Sequence, residues 1–576
     1  MPLATLLLPA ALLAAAAAAT GALGLAGIDV GRQLASAAAW LGLGFGLAAW
    51  LAGSRAPVEI AGAAAVAVTS LDLQLGPVTV LFTIVILVPV ALLLTFQPRS
   101  WAAAATAALT AAVALVTLAA GSLVLTGLGL SACAGLVLLM LRQESTARTT
   151  HYWLALTGAW LLLLWAGVVL RVTGGTSSYA AVPVSALGTP VFGLLALASV
   201  LCAGLWPWRT WVSEAWARPR LEAGTLAVAL LVPLGIYPLV RAYALGAGQW
   251  PTGPAGPVLA TLGAAAALGA GVRAQAASTP RGFLAEMVPL GAGVVLLSLS
   301  LGTPLGLVAA LTGLAGIGAV AGLAPLVPDN RGPLTLVALL VCAGAPPAIV
   351  FGGWLLAVQA ALEAGAAPAF LGLAAAGAWL LALAAAARAA RLPAEPADSA
   401  GRGSPAGAAA AVAVALASGV GLTALVALLA IPAAALVMSG SGARATLAGL
   451  APAAILSPGS LGVSTASGGW ATVLLAGPLV VAGLAVALAA RALRRRGRGP
   501  APAKSNVLVL EPAPEPIFRP PLAGLPERCL RVAAEFRLPA QYRSLLRPGA
   551  LERAVVEGRP WFWVAVTVGL AFVVTR

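Results

Sequence analysis

Long apolar runs recur along the whole chain, separated by short breaks rich in Arg, Pro or Asp. A helix crossing the hydrocarbon layer needs about 20 such residues. The pattern predicts spans at 3–28, 34–53, 57–70, 77–97, 101–120, 122–141, 151–173, 183–205, 222–246, 254–273, 283–300 and 303–327. Further spans follow at 333–362, 367–390, 407–438 and 469–492, and 391–406 is a Pro/Gly/Ser loop. Residues 439–469 are too interrupted to read as a span. From 493 to 558 a Pro-rich connector leads into an amphipathic segment suited to the membrane interface, and 559–576 forms a short terminal span. With allowance at the boundaries, the count is roughly 14 to 16 crossings. The run at 3–28 is longer than the core of a secretion signal and no basic residue precedes it, so it reads as the first span.

Composition agrees with a polytopic membrane protein. The 576 residues are 61% hydrophobic and 9% charged, with mean hydropathy +1.01, whereas soluble domains carry about 25% charged residues. That leaves no room for a soluble catalytic domain. A net charge of +15 in a soluble protein points to nucleic acid, but here the arginines sit in short loops and at span ends. This is the positive-inside pattern with lipid-headgroup contact, so nucleic acid is not an expected partner and lipid is. The cluster RALRRRGRG at 491–499 follows a span directly, which makes the following segment cytoplasmic.

Candidate chemistry is sparse. Cys133, Cys202, Cys342 and Cys529 are too far apart in sequence to suggest a metal knuckle or redox pair. Walker loops, dinucleotide fingerprints and nucleophile elbows are missing, and VTGGTSSYA (172–180) reads as an exposed loop. No cofactor, metal or catalytic residue is expected. Glu214, Glu222, Glu286 and Glu363 fall at span ends, where carboxylates are solvated. The single His151 lies at a span end, and the single Lys504 lies in the tail.

One stretch departs from ordinary span chemistry. GAPPAIVFGGW (344–354) places Pro346, Pro347, Gly352 and Gly353 inside an apolar run. Each proline removes an amide donor and strands a carbonyl one turn earlier. Inside a bilayer such breaks persist where protein or water satisfies the freed groups, either at a transport pathway or at a simple packing kink.

Four stretches in order now resemble the proton-conducting antiporter-like subunits of respiratory complex I, Mrp-type antiporters and membrane-bound hydrogenases. They are SLDLQLGPVTVLFTIVILVPVALLLTF (70–96), LWPWRTWVSEAWARPRLEAGTLAVALLVPLGIYPLVR (205–241), RGFLAEMVPLGAGVVLLSLSLGTPLGLVAALTGLAGIGA (281–319) and the GAPP opening at 344. The resemblance implies an all-α membrane bundle of about 14 core helices in two inverted repeats, each with a broken helix. The bundle would occupy 70–390, preceded by N-terminal spans at 1–70 and followed by C-terminal spans at 407–492.

Family members carry Lys, His and Glu at mid-membrane so that protons have groups to hop between. Matched motif by motif, those positions fall at Gly129, at Cys202, near Gly313, Ile317 and Ala321, and at Trp354. All are apolar here. His151, Glu214, Glu222, Arg241 and Glu286 remain as candidates for a residual polar relay, with Glu222, Arg241 and Glu286 placed to form a buried pair or short relay if the family packing holds.

The resulting expectation is an integral subunit of a complex I-like (NADH–quinone oxidoreductase-like) or hydrogenase-like respiratory complex in the cytoplasmic membrane. It would contact other membrane subunits and lipid, with its own proton path lost. The alternative is an active proton or sodium/proton translocating subunit of such a complex. A third reading is an unrelated permease whose composition imitates the family.

Overall fold

The structure, a computed structural model, describes residues 4–28, 30–51, 58–60, 65–66, 69–70, 73–96, 100–144, 149–179, 182, 184–205, 209–216, 222–245, 255–327, 333–346, 348–392, 405–420, 462–465 and 468–471. The expected tail segments 493–558 and 559–576 lie outside these residues, as do Lys504, Cys529 and Pro347.

The protein is an all-α membrane bundle. Its first helices are α1 (Ala4–Leu25), α2 (Gly31–Leu51), α3 (Pro77–Phe96), α4 (Trp101–Leu118), α5 (Leu123–Glu144) and α6 (Thr150–Gly174). There follow α7 (Thr189–Cys202), α8 (Thr210–Trp216), α9 (Glu222–Leu226), α10 (Val232–Leu245), α11 (Ala255–Ala274), α12 (Pro280–Ser300) and α13 (Pro304–Leu323). The last are α14 (Pro333–Cys342), α15 (Ile349–Glu363), α16 (Ala366–Ala389) and α17 (Pro405–Val420). Among the described residues ten segments are long and apolar enough to cross a bilayer, α9 and α10 together forming one of them. The expected count was higher partly because it included spans beyond residue 420 and one at 57–70 whose described residues are strands, and partly because the expected spans at 183–205 and 333–362 hold shorter helices.

Helix starts follow local chemistry. Ser100, Thr279 and Thr303 accept hydrogen bonds from the amides of Ala103, Gly282 and Gly306 at 3.1, 3.0 and 3.0 Å. Each satisfies a donor that the first helical turn leaves free, and Pro280 and Pro304 open their helices where no amide is needed. Side-by-side packing uses small residues. A β-carbon on Gly263 of α11 would lie 2.6 Å from the Gly293 carbonyl of α12, so only glycine permits this approach.

In the expected span at 57–70 the described residues are strands. β1 (Val58–Ile60) pairs antiparallel with β4 (Leu73–Leu75), and β2 (Ala65–Val66) with β3 (Thr69–Ser70). The run is short for a crossing, and its Val, Ile and Thr residues favour extended backbone. The Gln74 amide donates to the Ala119 carbonyl at 2.7 Å, docking β4 on the end of α4. Farther on, β5 (Gly462–Thr465) pairs antiparallel with β6 (Gly468–Ala471), across the boundary expected between the interrupted stretch and the span at 469–492.

The loop after α6 corrects a second expectation. Ser177, Ser178 and Tyr179 are buried rather than exposed. The Tyr179 amide donates to the Gly121 carbonyl at 2.8 Å, and the Leu123 amide to the Ser177 carbonyl at 3.2 Å. The loop therefore completes the backbone of the α4–α5 turn. β4, this turn, this loop and the end of α10 make one face of the bundle, called here the hairpin face. The opposite end, where α6 begins and α11 turns into α12, is the arginine face. It carries Arg142, Arg209, Arg273, Arg281, Arg388 and Arg391, against Arg171 and Arg241 on the hairpin face.

Candidate functional site

Two helices break inside the bundle, and they break in the same way. α7 ends in Cys202-Ala203-Gly204 and α14 ends in Cys342-Ala343-Gly344. Both glycines are left-handed, with φ of +63° and +83°. In the first break the Leu205 amide donates to Val200 O at 3.1 Å and the Gly204 amide to Leu201 O at 3.2 Å. In the second the Ala345 amide donates to Leu340 O at 2.8 Å and the Gly344 amide to Val341 O at 3.0 Å. This is the reciprocal helix-ending motif that absorbs orphaned carbonyls.

An indole completes each break. Trp211 donates its N–H to Leu201 O, and Trp379 of α16 donates to Gly344 O, both at 3.0 Å. The carbonyls freed by the break are thus satisfied by protein. Pro346 lies in the second break, whereas Gly352 and Gly353 sit inside the helical α15. Gly353 serves close packing against the Gly313 backbone rather than interruption.

The expected carrier positions are filled by tight packing. Cys202 and Ala321 are fully buried and Trp354 is 3% exposed. A side chain on Gly235 would collide with Cys202, and the Ser199 hydroxyl in the same turn donates to Gly235 O at 2.8 Å. A β-carbon on Gly129 would run into the Thr117 side chain, and one on Gly313 would lie 2.9 Å from Val295 Cγ2. Ile317 is buried in α13. Trp354 closes over the second break, its Cδ1 lying 3.4 Å from where a Gly344 side chain would begin. Glu214 and Trp354 both stand ten positions after the left-handed glycine of their break, so one break is followed by a carboxylate and the other by an indole.

Among the described residues the expected relay candidates fall in separate clusters. His151 Nδ1 contacts Glu214 Oε1, tying the start of α6 to α8, and the Tyr152 amide reaches Glu214 Oε2 at 3.4 Å. Glu286 bridges Arg209 at 3.1 Å and Arg273 at 2.9 Å. Beyond it, Arg388 donates to the Gln275 carbonyl. All of these groups belong to the arginine face.

Glu222 and Arg241 do not meet each other or Glu286 in an ion pair. They stand nineteen positions apart on the run formed by α9, a π-helical turn (Ala227–Leu231) and α10, which at 1.5 Å per residue is about 28 Å. Glu222 is 6% exposed, not solvated as its place at a span end suggested. The whole run from Glu222 to Ala242 is enclosed by other helices, which is why a carboxylate at its end escapes water. Glu363 is the span-end carboxylate that does remain exposed.

Arg241 belongs to a separate cluster on the hairpin face. Its Nη2 donates to Gln74 Oε1, and its guanidinium lies 4.7 Å from the Tyr179 ring centroid and 5.9 Å from that of Tyr237. Tyr237 donates to Leu118 O at 2.8 Å, and the Tyr179 and Thr126 hydroxyls are 3.1 Å apart. Gln74, Tyr179 and Trp379 were not singled out by the sequence, whereas Trp211 and Tyr237 belong to the motif-matched stretch 205–241. The repeated Cys-Ala-Gly, with proline three residues on at 207 and 347, was the available signal for the breaks.

Solved structures of antiporter-like membrane subunits bear out the all-α polytopic fold. The chain matches an Mrp antiporter subunit from the Mrp complex of Dietzia sp. DQ12-45-1b with TM-score 0.69 and 19% identity, over 92% of this chain and 60% of that one. It matches a subunit of respiratory complex I from Thermus thermophilus with TM-score 0.62 and 22% identity, over 77% of this chain and 100% of that one. A subunit of the membrane-bound sulfane sulfur reductase, an archaeal respiratory membrane complex, matches with TM-score 0.60 and 18% identity, over 78% and 99% of the two chains. This chain thus spans only part of the length of the Mrp subunit. No family model and no curated protein matches the sequence. The protein has the antiporter-like fold in divergent form.

Proposed function

We propose that this chain is an antiporter-like subunit of a complex I-like or hydrogenase-like respiratory membrane complex. It is held among other membrane subunits and lipids, and its own transmembrane proton path is closed. The carrying observation is the packing at the former carrier positions: Cys202 meets Gly235, Gly129 meets Thr117, Gly313 meets Val295, and Trp354 covers Gly344. A missing titratable group can in principle be replaced by water, but water needs room and two to four polar partners. Backbone and aliphatic groups fill that room here.

The arginine face is the cytoplasmic one, by the bias of basic residues toward that side. The membrane concerned is the cytoplasmic membrane.

A second reading, an active proton or sodium/proton carrier, draws on the polar groups near the arginine face, namely His151 with Glu214 and the buried Glu222. These offer an entrance without a continuation. The test is reconstitution of the full chain in liposomes with an imposed potential and an interior pH dye. Flux equal to that of empty vesicles supports closure. Flux well above it, abolished by Glu222→Gln or Glu286→Gln, establishes the carrier reading instead.

A further inference from the structure

A cavity between α3, α13, the start of α15 and α17 belongs to none of the polar clusters. Its volume is about 80 Å³, and its walls include Ile84, Val88 and Leu92 of α3, Ala315 and Ala319 of α13, and Val414 of α17. At about 100° per residue, Thr312, Ala315 and Ala319 line it from one side of α13, whereas Gly313, Ile317 and Ala321 fall on the other. The cavity is therefore separate from the row of former carrier positions.

Size does not keep water out of it, since one water requires roughly 10–15 Å³, but water also needs two to four polar partners. Thr312 supplies the one side-chain hydroxyl among the described lining residues, and its proton is already given to Val308 O at 2.8 Å. The space is dry. Left empty, it would forfeit the dispersion contacts of every atom in its walls.

Its shape selects what fills it. The lining runs from Leu81 to Leu92 on α3 and from Leu311 to Leu323 on α13, which at 1.5 Å per residue is about 17 and 18 Å. Both helices are of crossing length, so the space is a slot directed along them, close to half of a hydrocarbon core about 30 Å thick. Ile84, Val88, Ala315 and Ala319 are only half-buried, so the slot is not sealed.

We infer that this slot holds one acyl chain of a membrane phospholipid, laid along α3 and α13 and packing α17 onto them. Ile349, the first residue of α15, lines the same slot, so the bound chain also backs the second break. The inference gives the proposed contact with lipid a definite place, and its failure would leave the closed proton path standing.

The test uses the full chain in mild detergent, washed free of loosely held lipid. Retained phospholipid per chain is counted by mass spectrometry, and the thermal midpoint is read by tryptophan fluorescence. Ala319→Leu builds a side chain into the slot, and this variant should retain one phospholipid fewer than the unaltered chain. Added phosphatidylcholine should raise the midpoint of the washed unaltered chain and leave that of the variant unchanged. If Ala319→Leu does not yield folded protein, Val414→Phe fills the slot from α17 instead. Equal lipid counts in the unaltered and filled chains overturn the inference, as does an equal response of their midpoints to phosphatidylcholine. Loss of an isoprenoid rather than a phospholipid from the filled chain also overturns it, because the occupant is then a different molecule.

Discussion

Gly353 of α15 rests directly on Gly313 of α13, so closely that a β-carbon on Gly353 would lie 2.9 Å from the Gly313 Cα. Position 313 is where the family resemblance places a proton carrier, and here it is a crossing point of two helix backbones. Overpacking such a contact costs about 1–3 kcal/mol. Gly353→Ala should therefore lower the thermal midpoint in detergent, while substitution at Gly377, which has open space around it, should leave the packing undisturbed.

Restoring a carrier should not restore a path. A lysine at Gly313 meets Val295 at once, and an amine in this apolar setting carries a desolvation penalty. Gly313→Lys should reduce the yield of folded protein, and the folded fraction in liposomes should conduct no faster than the unaltered chain.

The two indole donors should act unequally. Trp211→Phe and Trp379→Phe keep most of the ring and remove the side-chain donors to the carbonyls of Leu201 and Gly344. A buried polar group left unsatisfied costs about 1–3 kcal/mol. Trp379→Phe should lose stability in that range, and Trp211→Phe less, because Leu201 O keeps the Gly204 amide, while a phenylalanine at Trp165, which is 57% exposed, should be nearly neutral.

Glu286 should matter less than its two arginines suggest. The side chains of Arg209, Arg273 and Glu286 are 32%, 28% and 14% exposed, so solvent screens the cluster. Glu286→Gln should cost about 1 kcal/mol or less, and the loss should shrink in high salt. A loss that persists undiminished at high salt would show that the cluster is effectively buried.

Tyr179 gives a pH signature. Burial holds its phenol well above the usual tyrosine value. Its protonated form is therefore favoured by folding, and that contribution is complete below about pH 10 and lost as pH rises toward the folded value. Tyr179→Phe should lose the bond to Thr126 at neutral pH and should show less alkaline destabilisation than the unaltered chain, measured as the thermal midpoint from pH 8 upward.

Apolar runs made most of the helices legible in the sequence, because a span's length and hydropathy are local properties. Pro346 announced the second break, since a proline acts on its own turn. The first break was harder to see. α7 stops at Cys202 through the left-handed Gly204, and a single glycine in an apolar run looks like ordinary membrane helix. The span expected at 57–70 was misread because Val and Ile are as apolar in a short strand as in a helix. The burial of Tyr179 depends on a bond to Gly121, 58 positions away in the chain. The separation of Glu222 from Arg241 along one helical run was hidden for a similar reason: sequence order does not reveal which end of a bundle a residue occupies.

The π-helical turn at Ala227–Leu231 acts as a phase setter for everything after it. Such a turn holds one residue more than an α-turn, and each helical residue rotates the next by about 100°. Removing one residue between 227 and 231 would keep α10 helical and nearly as long. It would also swing Tyr237 away from Leu118 and Arg241 away from Gln74, so the wedge of extra backbone near the middle of the membrane determines which way the far end of the central helix points.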